Sequence, residues 1–164
     1  MINPHSAIKR LAYLCDTIPK LLIGIGEPAF SLKPTRNKWS KKEIIGHLID
    51  SATNNHQRFV RGQFEETPTI VYDQNKWNEY SFYHQIDGQQ IINFWTIYNR
   101  QLIELVRHIC QENLQRECKT SDNKSYTLDF LLNDYVEHLE HHLRQVVTYR
   151  QNNFRKLELL NSTF

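Results

Sequence analysis

Four stretches of this chain repeat apolar residues with the period of an α-helix, which points to a core built by packing helices. Over residues 6–23, Ile8, Leu11, Leu14, Ile18, Leu21 and Leu22 recur at helical spacing, until Gly24, Gly26 and Pro28 interrupt the pattern. After a loop over 32–37, Ser40 and Glu43 have the spacing of a capping box and predict a second helix over 41–61. A third is predicted over 87–111, carrying Ile91, Ile92, Trp95, Ile97, Leu102, Leu105 and Val106. A polar segment, 117–125, precedes a fourth over 127–150, and the tail 151–164 extends that helix before fraying. The expected fold is all-α: a four-helix bundle with a long loop between helices 2 and 3. That loop, 62–87, holds Phe64, Tyr72, Trp77, Tyr80, Phe82 and Tyr83, and is expected to be packed as a functional cover.

At 164 residues, with 40% hydrophobic and 23% charged residues, the chain is expected to form a single domain over 1–164 with a sizeable core. No apolar run approaches the ~20 residues that span a bilayer, so no membrane partner is expected. The formal net charge of +2 is spread along the chain without a basic stripe, which argues against nucleic acid. Glycine-rich phosphate loops are missing from the sequence. Cys15, Cys110 and Cys118 are odd in number and lack CxxC spacing, so they read as reduced thiols. The N-terminus lacks a secretory signal pattern, and the expected location is cytoplasmic.

Chemistry concentrates in the histidines. His138 and His142 stand four residues apart on the fourth predicted helix, one turn apart on nearly the same face. At roughly 100° per residue, Leu128, Leu132, Tyr135, Leu139, Leu143 and Val146 form its apolar stripe. His142 falls on the edge of that stripe, with His138 slightly further round, whereas His141 points to the polar side near Glu137. On the second helix, Ile44, Leu48, Ala52 and Phe59 form the stripe, and His47, Ser51, Asn54 and Arg58 form a polar column beside it. Taken alone, that column is equally a solvated face. Taken with the pair, it allows a site in which three imidazoles meet a transition metal and leave a position open. The alternative is three separate core or surface histidines, and the residues themselves leave both open. Asp134, one turn before His138, is a candidate acceptor for a ligand's free N–H or a further ligand, but reads first as a carboxylate favoured in the first turns of a helix. His5, His56, His84 and His108 are isolated and read as structural or exposed. No GxSxG or HExxH motif competes.

The chain resembles the DinB-like superfamily, in its YfiT-type branch. The resemblance rests on Trp39 and Ser40 opening a helix that carries His47, Asp50, Arg58 and Phe59. It continues through residues 65–70 (ETPTI within them) with Tyr72, Asp73 and Trp77, and ends on HLEHH at 138–142. It covers roughly residues 20–150. It implies an antiparallel four-helix bundle, often a homodimer, with a divalent metal, zinc or nickel, on His47, His138 and His142. Leu139 is bulkier than the small residue expected after the first histidine of the pair.

Members of this branch are described as metal-dependent hydrolases and as bacillithiol S-transferases, so the resemblance implies two activities on small-molecule substrates. In the first, a low-molecular-weight thiol binds the open position and attacks an electrophile, with Arg58, or else Arg61 or Arg100, holding the thiol's carboxylates. In the second, metal-bound hydroxide hydrolyses the substrate, with Asp50, Asp134 or Glu137 as a base. A third reading is a non-catalytic metal-binding bundle with a closed shell.

Overall fold

The computed structural model describes residues 4–150. Its long helices are α1 (Pro4–Ile23), α3 (Lys41–Arg61), α5 (Gly88–Arg107) and α7 (Leu128–Val146). Between them lie α2 (Glu27–Ser31), α4 (Gln74–Tyr80), α6 (Gln111–Leu114) and a hairpin of β1 (Glu117–Lys119) and β2 (Ser125–Thr127).

The four-helix bundle is formed as the periodicity requires. The α7 stripe from Leu128 to Val146 is buried throughout, and so are Ile44, Leu48, Ala52 and Phe59 of α3. α3 packs against α5 and α7, and α1 packs against the same two, so α1 stands diagonally across from α3. Gly62, after the end of α3, meets Leu128 at the start of α7, while His47 near the start of α3 meets His142 near the end of α7. These two helices therefore run antiparallel. Lys42 reaches the Ile86 carbonyl and His56 reaches Tyr98, so α5 returns parallel to α3. The long crossover makes that possible, because a parallel neighbour must be reached from the opposite end of the bundle.

Local chemistry fixes the helix starts. Glu43 N–H donates to Ser40 Oγ at 3.1 Å and Ser40 N–H donates to Glu43 Oε2 at 2.8 Å, closing the expected capping box. Asp87 caps α5 by accepting from Gln90 N–H at 3.0 Å, and Thr127 caps α7 by accepting from Phe130 N–H at 3.2 Å.

Several expectations are corrected. α5 stops at Arg107 rather than residue 111, with His108 as its cap. α7 stops at Val146 rather than residue 150, because Val147 turns extended. The extension over 151–164 lies outside the described residues. The polar segment 117–125 contributes to an antiparallel hairpin, and Ile70 N–H donates to the Lys119 carbonyl at 3.2 Å to dock the covering segment on its edge. That segment is not structureless: Asp73 caps α4 by accepting from Asn75 and Lys76 N–H, and a 3-10 turn follows at Tyr83–Gln85. Its aromatics divide. Tyr83 is buried and Tyr72 half-buried, while Phe64, Tyr80 and Phe82 stand exposed.

Candidate metal centre

The polar column of α3 faces inward. His47, Ser51 and Asn54 are buried and Arg58 is half-buried, because α7 and the covering segment close over that side. α7 brings His138 and His142 to the same place. The ring centroids lie 5.1 Å apart for His47 and His138, 4.8 Å for His47 and His142, and 4.6 Å for His138 and His142. One nitrogen from each ring can be chosen so that all three lie within 4.8 Å of one another. His141, one residue from the pair, is exposed and bonded to Gln145.

The donor set fits a divalent ion. His47 Nε2 and His138 Nε2 are 3.2 Å apart, close to the ~3.3 Å separating two imidazole nitrogens bound about 2.0–2.1 Å from a tetrahedral ion. Burial holds the imidazoles neutral, as ligation requires. It lowers His47 to about 3 and His138 to about 4, helped by the neighbouring imidazoles, and also lowers His142. His47 Nδ1 and His142 Nδ1 are buried with no hydrogen-bond partner among the described residues. His47 is fully enclosed, whereas His138 and His142 keep partial solvent access, so the cluster is open on the α7 side. Trp39 covers the other side of His47, ring centroids 5.0 Å apart.

The surrounding polar groups sort differently from the sequence expectations. Asp134 is exposed, and no hydrogen bond joins it to a histidine ring among the described residues. Ser51 takes that place, its Oγ 3.4 Å from His138 Nδ1. Arg58 donates to Asn55 Oδ1 and to the Ile70 carbonyl, each at 3.2 Å, and its charge reaches His138. It lines a cleft of about 420 Å³ with Val71, Tyr72, Asp73, Gln74 and Ser121. Arg61 is engaged by Glu65 through two bonds, and Arg100 pairs with Asp16 in a separate cleft between α1 and α5. Of the three arginines, only Arg58 stands beside the cluster. Asp50 is buried, accepts from Tyr83 and is pushed up to about 6 by burial. Ser51 sits four residues after His47, and that spacing was its only signal in the sequence. Tyr83 gave none, since its bond to Asp50 joins residues 33 apart.

Comparison with known proteins agrees with this geometry. The DinB superfamily matches residues 14–146. Over 110 residues the chain is 28% identical to a Bacillus subtilis protein named "Putative metal-dependent hydrolase YfiT", covering 66% of this chain and 62%, less than two thirds, of that relative. An Oceanobacillus iheyensis protein of the same description, OB0782, is 24% identical over 138 residues, covering 81% of this chain and 80% of its own. The solved YfiT structure from B. subtilis, described as a probable metal-dependent hydrolase with an unusual four-helix bundle topology, has a TM-score of 0.79 at 22% identity, covering 87% of this chain and 83% of YfiT. A mycothiol-dependent maleylpyruvate isomerase has a TM-score of 0.75 at 12% identity, covering 91% of this chain and 62% of the isomerase. At such identities these two are likenesses of fold. The sequence match spans most of the chain, with all three clustered histidines inside it, and the chain belongs to the DinB superfamily.

Proposed function

We propose that His47, His138 and His142 hold a divalent cation, zinc or nickel, with a position left open, and that the protein transfers a low-molecular-weight thiol to electrophilic small molecules. The observation that carries this reading is the meeting of three neutral imidazoles at a point open on the α7 side. A cation bound there supplies Lewis acidity, which favours the thiolate over the thiol and strengthens the nucleophile. The imidazoles add no charge that would weaken it. Trp39 keeps water from the back of His47. Arg58, with two of its donors already fixed to protein, stands ready for an anionic group in the adjoining cleft, such as a thiol's carboxylate. The mycothiol dependence in the name of the isomerase with this fold supports a thiol partner.

A second reading, hydrolysis, is supported by the names of the curated relatives and by Asp50, a carboxylate whose pKa of about 6 suits a proton acceptor near neutrality. A purely structural metal site is disfavoured by the solvent access of His138 and His142. Among the described residues no helix is long and apolar enough to cross a membrane.

The deciding experiment incubates zinc- or nickel-loaded protein with monochlorobimane, with and without a panel of low-molecular-weight thiols. Thiol-dependent conjugate above the uncatalysed rate is expected, with a KM for the thiol that rises about tenfold in Arg58→Ala, the loss of one charge-assisted contact. Ester or amide cleavage without any thiol-dependent product would overturn transfer in favour of hydrolysis.

A further inference from the structure

We infer that Ser51 is a positioning residue for His138: its hydroxyl oxygen accepts the Nδ1 proton, which directs the Nε2 lone pair to the cation site. The inference rests on the proposed metal reading, and reaches beyond it by assigning what orients the ligand.

The two nitrogens of His138 have different surroundings. Nε2 faces His47 Nε2 at 3.2 Å, inside the cluster. Nδ1 faces Ser51 Oγ at 3.4 Å, outside it. A neutral imidazole carries one proton, and whichever nitrogen holds it is lost as a ligand. An oxygen that accepts at Nδ1 therefore leaves Nε2 free to ligate. Among the described residues the other two clustered histidines have nothing comparable, since Nδ1 of His47 and of His142 are buried without a partner there. His138 is the ring whose protonation state the protein specifies.

Position makes Ser51 suited to the task. It follows His47 by one turn of α3, so a single helix presents one ligand and the group that orients another from α7. It is 5% exposed, which shields the contact from competing water. The carboxylates that serve elsewhere in this role do not reach the ring: among the described residues neither Asp50, whose Oδ1 accepts from Tyr83, nor the exposed Asp134 is hydrogen-bonded to a histidine. A serine oxygen also fixes the ring without adding negative charge, so the imidazole stays a neutral donor and the cation keeps its electrophilicity.

Two measurements test this. In metal-free protein, nitrogen-15 correlation spectra of the histidine rings are expected to find His138 protonated at Nδ1, and to find that preference lost in Ser51→Ala. In chelator competition, the zinc dissociation constant is expected to rise about ten- to a hundredfold in Ser51→Ala, the usual effect of losing such a partner. Ser51→Thr, which retains the hydroxyl, should stay within about threefold of the parent. A wild-type His138 protonated at Nε2, or a folded Ser51→Ala with unchanged zinc affinity, overturns the inference. The spectra need no metal, so they decide it even if His47→Ala proves to bind zinc as well as the parent, the result that would instead sink the metal reading.

Discussion

Tyr83 donates a 2.6 Å hydrogen bond to Asp50 Oδ1 while its ring lies against Gly46, one turn earlier on α3. A Cβ on Gly46 would stand 2.7 Å from Tyr83 Cε2 and closer still to Cδ2 and Cγ. The missing side chain is what lets a residue of the covering segment cross the helix backbone and reach a buried carboxylate beside the histidine cluster. Glycine here serves close approach, since no glycine of the chain has a positive φ.

Gly46→Ala should therefore evict the tyrosine and destabilise the fold by about 1–3 kcal/mol, the range for overpacked sites. Tyr83→Phe keeps the ring but strips Asp50 of its donor, leaving both carboxyl oxygens buried without a partner at a cost of about 1–3 kcal/mol. Urea denaturation of each variant measures this. If both changes act through one contact, the double variant Gly46→Ala with Tyr83→Phe will cost clearly less than the sum of the two.

Asp50 also sets a pH dependence with a definite sign. Burial raises its pKa from 3.8 to about 6, against the opposing bond from Tyr83. Between these values the native state holds a proton that the unfolded chain has released, so this group's contribution to stability falls as pH rises through the window, and stays low above it. Asp50→Asn removes the titration and keeps an oxygen for Tyr83. It should match the parent near pH 4 and exceed it by up to about 3 kcal/mol at pH 7.5, from roughly two pKa units at about 1.4 kcal/mol each. Tyr72 and Tyr83, which face the carboxylate, have raised pKa values and stay neutral throughout, and the buried histidines titrate alike in both proteins. Denaturation curves at several pH values that run parallel for the two proteins would count against a buried, proton-holding Asp50.

What was legible in the sequence follows the range of the interactions. The Ser40–Glu43 box and the α7 stripe are local, and both formed as the spacing required. The i,i+4 pair of His138 and His142 is local too, and His141 was separated from it by helix geometry alone. The column of His47, Ser51, Asn54 and Arg58 stayed undecided because one helix does not reveal what packs against it; burial by α7 and the covering segment turned it inward. α4 escaped notice because seven residues, QNKWNEY, offer no apolar period, although Asp73 in front of them was a capping signal. The hairpin strands have three residues each, too few for alternation to register. Asp134 shares a helix face with His138 but stands exposed, in keeping with the reading of it as a carboxylate favoured in the first turns of α7.

Arg10 and Glu140 join α1 to α7 through two bonds of 2.9 and 2.7 Å, with both side chains about nine-tenths buried. Arg10→Ala would strand a buried carboxylate, and should destabilise by about 3 kcal/mol, the lower end of the range for breaking such a pair. The lower end applies because Arg144 stands 3.6 Å from the same carboxylate. Replacing both partners together, Arg10→Met with Glu140→Leu, should restore most of that loss, because no buried charge is then left without a counterpart; Arg144, which loses Glu140, is half exposed. Thermal melts of the single and double variants decide it, and a double variant as unstable as Arg10→Ala would mean that the pair's geometry, rather than its charge balance, holds α1 in place.

The histidines themselves give the sharpest separation between neighbours in sequence. His142 turns into the cluster, 4.8 Å from the His47 ring, while His141 points to solvent and bonds Gln145. If three imidazoles share one cation, removing any of them leaves two, too few to hold a divalent ion tightly in an open site. His47→Ala, His138→Ala and His142→Ala should each lose stoichiometric zinc or nickel after dialysis, read by elemental analysis, whereas His141→Ala should retain one equivalent. The His141 ring lies 5.1 Å from that of His142, so loss through simple proximity would strike it as well. Equal loss in all four variants would show that the facing of α7 does not select the ligands, and retention in His47→Ala would show that α3 contributes none.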